Sequence, residues 1–280
     1  MRRCRFVFAL ILPILAPVMA SDDRPAGDGK PANDALRTFY RKTAEKYVFF
    51  HDAERQQPLM LAEKPVMKWA NDNDYSGDVF VWTRDDLPEV IGGVLSGPRE
   101  GNRRGVGVEF HLLATDPIPA ADLQGRSRWA PKSGLERHRL DDVPKPAESA
   151  VARLTQMRQI LRDFSAHMDA NGEWELRLLP QPLTRYQPKD GPVVDGALFT
   201  FVWTRGTDPE LILLFECRKT TAGTAWFYAP VRFSNRALWL KHHDVEVWRG
   251  PVHHEPAAES GLLYTIQSLE TIDDPRKERN

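Results

Sequence analysis

Two stretches of the chain place hydrophobic residues at helical spacing. The first runs from about Asp34 to Phe50, with Asp34 as the predicted N-cap, and the second runs from about Ala147 to Met168. Each is followed by a strand-like run that contains proline, over residues 59–69 and 176–186. Because proline cannot donate to a β-ladder, both runs are predicted to be edge strands or bulged strands.

One segment occurs twice along the chain. Residues 80–91 and 201–212 agree at eight of twelve positions without a gap, and both begin with Phe-Val-Trp-Thr-Arg. Each copy is predicted to form a β-hairpin, because apolar runs flank a short stretch of turn residues. The order of helix, proline-containing strand and hairpin also recurs, which predicts a duplication of one structural unit.

This repeated order predicts an α+β fold of two related units, each with one helix packed on an antiparallel sheet. The arrangement is similar to cystatin-like and NTF2-like folds, an analogy of architecture that carries no function. The predicted organisation is a signal peptide at 1–20, a disordered leader at 21–33, a first unit at 34–139, a linker at 140–146, a second unit at 147–255 and a C-terminal extension at 256–280.

The first twenty residues have the pattern of a cleaved secretory signal. A basic segment is followed by an apolar stretch over residues 6–18, and small residues suit cleavage before Ser21. An uncleaved anchor is the alternative, although the apolar stretch is shorter than a membrane span of about 20 residues. The chain is therefore predicted to be exported, to the periplasm or the extracellular space, with no membrane span after cleavage.

Composition narrows the functional classes. The chain is 41% hydrophobic and 28% charged, which is typical of a globular protein. Its 38 Lys and Arg residues nearly balance 39 Asp and Glu residues, which argues against a nucleic-acid partner. Removal of Cys4 with the signal would leave Cys217 as a single thiol, and its apolar neighbours predict a buried, unreactive side chain.

Glu109 and His111 are the candidate catalytic residues. They lie two positions apart on a predicted strand and therefore share one face, where they could act as an acid and a base. The alternative is an ordinary strand with a polar outward face and with Phe110 pointing inward.

A histidine-rich stretch offers candidate metal ligands. Six candidates lie within fourteen positions: His242, His243, Asp244, His253, His254 and Glu255. Their spacing fits no standard zinc motif, and neighbouring residues of a strand point to opposite faces. The alternative is a solvated turn at the tip of a hairpin.

Several segments together resemble a family of exported bacterial proteins of unknown function. They are residues 176–186, Asp-Gly-Ala-Leu-Phe at 195–199, Gly-Thr-Asp-Pro-Glu at 206–210 and Glu-Phe-His at 109–111, together with the signal sequence. The resemblance implies export and domain organisation, and it transfers no site residue.

No sequence motif favours an enzyme, since Gly-x-Ser-x-Gly, Cys-x-x-Cys, His-Glu-x-x-His and a glycine-rich phosphate loop are missing from the sequence. We therefore expect a non-catalytic exported protein without a cofactor, which acts either by binding or as a component of the cell envelope, with a glycan or another envelope protein as the expected partner. The alternative is an envelope hydrolase, with or without a metal, whose site lies in the cleft between the units. Most of the eight tryptophans, Trp82 and Trp203 among them, are expected in the core.

Overall fold

The computed structural model describes residues 29–254 and 259–276. In chain order the elements are α1 (Gly29–Ala44), β1 (Met60–Leu61), β2 (Met67–Ala70), β3 (Ser76–Arg84), β4 (Leu87–Arg99), β5 (Arg103–Leu112), β6 (Ala121–Leu123), β7 (Ser127–Trp129), β8 (His138–Leu140), α2 (Ala150–Ile160), a 3-10 turn (Leu161–Asp163), β9 (Phe164–Asp169), β10 (Glu173–Leu178), β11 (Thr184–Tyr186), β12 (Val193–Val202), β13 (Pro209–Thr220), β14 (Gly223–Arg232), β15 (Ala237–His242), β16 (Val245–Gly250), β17 (Glu259–Ser260) and β18 (Tyr264–Asp273).

The predicted α+β fold is wrong, because the chain is mostly β. Strands make up 51% of it and helices only 10%, and the sheets are large and curled. The second predicted helix shows the reason: α2 ends at Ile160, and residues 164–169 form β9 instead. The apolar spacing of Phe164 and Met168 fits a helical stripe, but β9 is hydrogen-bonded to β10 on one side and to β15 on the other. Sheet pairing therefore overrides the local helical pattern.

Two large sheets and one small sheet make up the fold. The first sheet has the strand order β1-β3-β4-β5-β18, with β2 also paired to β3. The second has the order β16-β15-β9-β10-β12-β13-β14-β8, with β11 also paired to β12. The small sheet has the order β17-β7-β6. In both large sheets the proline-containing runs break into short strands beside the first strand of the hairpin, as expected of residues that cannot donate to a ladder.

The two large sheets pack face to face around a shared hydrophobic core. Val81 and Ile91 of the first sheet and Ile212 and Val231 of the second belong to this central cluster. A second cluster lies on the outer side of the first sheet, under α1 and the small sheet, and a third lies inside the curl of the second sheet with α2. Because strand side chains alternate between faces, β3 and β4 of the first sheet and β12, β13 and β14 of the second each contribute to two of these three clusters.

Each helix is fixed to its sheet by an arginine that contacts a buried aspartate. Arg37 of α1 donates to Asp78 of β3 at 2.5 Å, where the carboxylate is 2% exposed. Arg153 of α2 donates to Asp195 of β12 at 2.8 Å, and Arg185 contacts the same carboxylate at 2.6 Å. The first aspartate therefore has one arginine partner and the second has two.

The strand order is what a duplication would produce, and the duplication itself stays a prediction. Strands β3, β4 and β5 are consecutive neighbours in the first sheet, as are β12, β13 and β14 in the second. The sheets also exchange edge strands: β18 follows the second sheet in sequence but pairs with β5, while β8 precedes α2 and pairs with β14. The predicted C-terminal extension, residues 256–280, therefore contributes a strand to the first sheet.

Several predicted segments fall at or beyond the limits of the described residues. The predicted signal peptide lies outside them, and α1 begins at Gly29, within the predicted leader. None of the helices in the described ranges is long and apolar enough to cross a membrane. All eight tryptophans are described, and five are buried while Trp174, Trp203 and Trp248 are half-buried.

Candidate functional site

Glu109 and His111 share one face of β5, and that face lies between the two sheets. The two residues are 5% and 4% exposed, so the predicted alternative of an outward polar face is wrong. Phe110 points the other way, into the cluster under α1, as alternation requires.

Tyr264 of β18 brings three of the predicted candidates together. Its hydroxyl donates to Oε2 of Glu109 at 2.7 Å, and its ring centroid lies 6.3 Å from that of His111 and 4.8 Å from that of His253. The guanidinium of Arg232 lies 6.0 Å from the same ring. We call these five residues the Tyr264 cluster.

The Tyr264 cluster has strongly displaced pKa values. Burial, and then the nearby charges of Asp208 and Glu210, raise the pKa of Glu109 well above its usual range. Burial lowers the pKa of His111 to about 4, and its Nδ1 donates to its neighbour's backbone carbonyl at 2.7 Å. Such displaced values often mark functional sites, but they also occur in buried structural networks.

Access decides between these two roles for the Tyr264 cluster. Four of its members, Glu109, His111, Arg232 and Tyr264, are only 3–6% exposed. A general base must come within hydrogen-bond reach of its substrate, and these side chains are enclosed between packed sheets. The cluster is therefore better explained as a buried polar network.

The histidine-rich stretch is divided between two places. His242 and His243 lie at the tip of the β15–β16 hairpin beside Asp163, a residue that the sequence analysis missed. Asp244 is the second residue of that turn and is exposed. His253 belongs to the Tyr264 cluster, and the neighbouring His254 is exposed.

The two remaining predicted residues, Glu255 and Cys217, belong to neither group. Glu255 lies outside the described residues. Cys217 is 1% exposed on β13, and burial raises the pKa of its thiol, so it has the properties of a small buried hydrophobic residue.

An open cleft of about 430 Å³ lies where the two large sheets meet. Its walls come from the turn after β3, the start of β4, the loop after β5, the loop before β12 and the end of β13. The charged lining residues are Arg84, Asp85, Asp86, Glu89, Asp116, Arg137, Lys189, Asp190, Glu216 and Arg218, together with His51. This cleft shares no residue with the Tyr264 cluster.

A buried carboxylate stands on each side of the cleft. On the first sheet, Glu89 is 1% exposed and accepts hydrogen bonds from Nε of Arg84 at 2.8 Å and Nδ1 of His51 at 2.9 Å. Its position follows from the tight turn between β3 and β4, which sets Arg84 beside the start of β4.

The second sheet contributes Glu216, which is fully buried. It accepts from the hydroxyl of Tyr186 at 2.8 Å, from Arg218 at 2.5 Å and from Nε of Arg137 at 3.3 Å. Arg137 also donates to the backbone carbonyl of Leu113, which follows β5 of the first sheet. It therefore connects the two sheets across the floor of the cleft.

A cleft between the units was predicted as the site of the alternative hydrolase, but none of these lining residues was predicted, although one signal for them was present in the sequence. Glu89 stands in the repeated segment, five residues after Arg84, and an arginine beside a glutamate across a predicted turn is a recognisable ion pair. Glu216 and Arg137 are far apart in sequence and carry no local signal. Only the pairing of β8 with β14, which is the neighbour of β13, brings Arg137 close to Glu216.

Comparison with protein-family models, with curated proteins and with solved structures finds no match to this chain.

Proposed function

We propose that this is an exported binding protein that holds a small zwitterionic ligand, such as a short peptide, in the cleft between its two sheets. The observation that supports this is the pair of buried carboxylates, Glu89 and Glu216, each held by arginine in the walls of an open cleft. Charged groups fixed before the ligand arrives lose little entropy on binding.

The hydrogen bonds that these carboxylates already accept support binding rather than acid–base catalysis. Glu216 accepts from three donors and Glu89 from two. A general acid or base needs an oxygen that is free to exchange a proton with the substrate. The alternative, a hydrolase using Glu109 and His111, is supported by their displaced pKa values but is opposed by their enclosure.

The lining favours a ligand that carries both charges. Four basic and six acidic side chains surround the cleft, and most of the acidic ones lie on exposed loops. Arg84 keeps 35% of its side chain exposed and Arg218 keeps 15%, so a ligand carboxylate has guanidinium partners within the cleft. Asp86 and Asp190 offer carboxylates to a ligand ammonium.

A glycan is a weaker fit, because the lining contains no Trp, Tyr or Phe. Sugar faces stack on aromatic rings, and four of the five buried tryptophans, Trp69, Trp82, Trp129 and Trp226, lie inside the hydrophobic clusters. Among the partners expected from the sequence, the structure of the cleft therefore supports a polar peptide segment over a sugar.

Thermal denaturation of the untagged, mature protein tests this proposal. The probes are a panel of dipeptides with free termini, each paired with its N-acetylated and C-amidated form. Free dipeptides are expected to raise the midpoint, since a ligand at 100 times its Kd stabilises by about 2.7 kcal/mol. Blocked forms lack both charges and should leave the midpoint unchanged. An equal response to free and blocked peptides, or no response at all, would contradict the proposal.

Variants at the exposed rim locate the site. Lys189→Ala and Asp190→Asn each remove one charge from an exposed position in the lining, and each is expected to weaken dipeptide binding about tenfold in calorimetric titrations, about 1.4 kcal/mol. Lys42→Ala, on the exposed face of α1, is the matched control. Unaltered affinity in both rim variants would place the ligand elsewhere.

Export is part of the proposal and has a separate test. The signal-like pattern supports cleavage before Ser21. N-terminal sequencing of protein recovered outside the cytoplasm should begin at or near Ser21. A chain that begins at Met1 would refute cleavage.

A further inference from the structure

The β15–β16 hairpin brings two neighbouring histidines to the same side of its tip. His243 and Asp244 have φ angles of 47° and 63°, which is the geometry of a two-residue turn. His242 is the last residue of β15, and the turn ends the alternation of side chains at that point. As a result the two imidazole centroids lie only 4.2 Å apart.

Asp163 supplies a carboxylate beside these rings. It ends the 3-10 turn just before β9, where its backbone carbonyl accepts a hydrogen bond from the N–H of His243 at 2.9 Å. Its Oδ2 lies 3.9 Å from Nε2 of His243. One donor atom from each of Asp163, His242 and His243 lies within 4.8 Å of the others.

His242 provides an independent sign that the group is arranged for a ligand. Its Nε2 is buried and has no hydrogen-bond partner among the described residues. Its ring packs at 4.4 Å from that of Phe164, which holds it in place. Because buried polar atoms are nearly always paired, an unpaired imidazole nitrogen beside two other donors requires an explanation.

We propose that Asp163, His242 and His243 form a binding site for a zinc ion. Two imidazoles and one carboxylate are a donor set of catalytic zinc sites, which leave the fourth position open. In a tetrahedral site with bonds of about 2.1 Å, donor atoms stand about 3.4 Å apart, so the three groups must close by up to about 1.4 Å. The side chains of Asp163 and His243 are 44% and 63% exposed, so they are free to make this movement.

The zinc site is independent of the cleft and its ligand. It lies at the end of the second sheet formed by β15 and β16, and it shares no residue with the cleft lining. Two of its ligands, Asp163 and His243, are exposed at the hairpin tip, so water or a donor from another molecule would complete the coordination.

Metal titration of the untagged, full mature chain, freed of metal with a chelator, tests the proposal. Zn²⁺ is followed by calorimetry and Co²⁺ by its visible absorption, which reports tetrahedral nitrogen and oxygen coordination. The wild-type protein is expected to bind one ion per chain. His243→Asn keeps a residue that tolerates the left-handed turn, and Asp163→Asn keeps the side-chain shape. Each is expected to weaken Zn²⁺ binding by at least about 100-fold, beyond the 10–100-fold that outer-shell changes cost.

The chain offers a matched control in His138, whose Nδ1 lies 3.9 Å from a carboxylate oxygen of Glu136. His138→Asn removes a similar histidine–carboxylate contact that lacks a second histidine, and it should leave the Zn²⁺ affinity unchanged. Circular dichroism of each variant separates loss of the site from loss of the fold. Absence of Zn²⁺ binding by the wild type, or full binding by folded His243→Asn and Asp163→Asn variants, would overturn the proposal.

Discussion

The same five residues, Phe-Val-Trp-Thr-Arg, all belong to the first hairpin strand of the first large sheet, but only the first two of them belong to the corresponding strand of the second. In the first sheet, β3 and β4 are joined by the two residues Asp85 and Asp86, whose φ angles are 48° and 65°. In the second, a six-residue loop over 203–208 joins β12 and β13, and its ends are closed by the N–H of Trp203 and the carbonyl of Asp208. The residues of the turn, rather than those of the strands, account for this difference.

The difference in turns changes which aromatic residue reaches the core. Trp82 is opposite Val90 in the first sheet, whereas Phe201 is opposite Leu211 in the second. Val90 and Leu211 match in the repeat, so Phe201 occupies the place of Trp82, and Trp203 lies one residue beyond β12. Trp82 is 1% exposed, while Trp203 is half-buried. Equal sequence therefore does not give equal position when the turn lengths differ.

Glu89 and Glu210 occupy matching positions of the repeat but have different surroundings. Glu89 is paired with Arg84 across the tight turn and lines the open cleft. The corresponding arginine of the second copy, Arg205, lies over the rings of Trp174 and Trp203 instead. Burial, and then the charge of Asp208, raise the pKa of Glu210 to about 8.

Replacing the matched aromatics gives the largest expected effect. Trp82→Ala should lower the free energy of unfolding by about 3 to 5 kcal/mol, because it removes a buried ring and the hydrogen bond from its Nε1 to the carbonyl of Tyr47. Trp203→Ala should cost about 1 to 2 kcal/mol, because only part of its ring is removed from water. Urea unfolding measures both.

The variant Phe201→Ala sharpens this test of register. If Phe201 occupies the place of Trp82, its removal should cost more than the removal of Trp203. Equal losses for Trp82→Ala and Trp203→Ala, with a small loss for Phe201→Ala, would show that the aligned tryptophans are equivalent after all.

The helix arginines should give the next largest effect. Arg37→Met leaves Asp78 without its arginine partner, and breaking a nearly buried pair costs about 3 kcal/mol. Arg153→Met should cost about 1 to 2 kcal/mol, because Asp195 keeps Arg185. Lys42→Met on the exposed face of α1 is the control for urea unfolding. A larger loss for Arg153→Met than for Arg37→Met would contradict this comparison.

The smallest expected effect is the change in the free energy of unfolding with pH. Because burial raises the pKa of Glu210 to about 8, the folded state keeps a proton that the unfolded state has already released above about pH 4.5. Stability should therefore fall as pH rises from 6.5 to 8, by up to about 1.4 kcal/mol per pH unit. His111, with a pKa of about 4, opposes this trend only below pH 6.5, where the unfolded state binds the extra proton.

Urea unfolding at several pH values checks this prediction. Glu210→Gln removes one titrating group and should reduce the slope between pH 6.5 and 8, while Glu109 and Asp208, whose pKa values burial also raises, retain part of it. A slope that is unchanged in this variant would assign the proton to another group.

Local features of the fold were predictable from the sequence, and long-range features were not. The hairpins follow from alternation and turn residues, and both repeated segments do form adjacent antiparallel strands. The helical pattern over 147–168 gave a wrong prediction for residues 164–168, because Phe164 and Met168 fit both a helical stripe and the buried face of β9. Periodicity cannot separate the two in a short apolar run, and the choice is made by the neighbouring strands β10 and β15.

In the candidate sites, too, the local features were predictable from the sequence and the long-range contacts were not. The shared face of Glu109 and His111 followed from alternation, but their burial depends on the second sheet, which packs against that face. The pairing of Glu216 with Arg137 and the approach of Asp163 to His243 join residues that are distant in sequence. No local pattern contains such contacts, because they exist only after β8 has paired with β14 and β9 with β15.

The return of β18 to the first sheet has a kinetic consequence. Tyr264, which pairs with His111, is synthesised only after the whole of the second sheet, so β5 has an unpaired edge until then. Closing such a distant pairing is slow, and an open edge strand is a template for association between chains. The first sheet is therefore complete only after the C-terminal part of the chain has been synthesised. The hydrogen bond from the hydroxyl of Tyr264 to Glu109 forms in that last step.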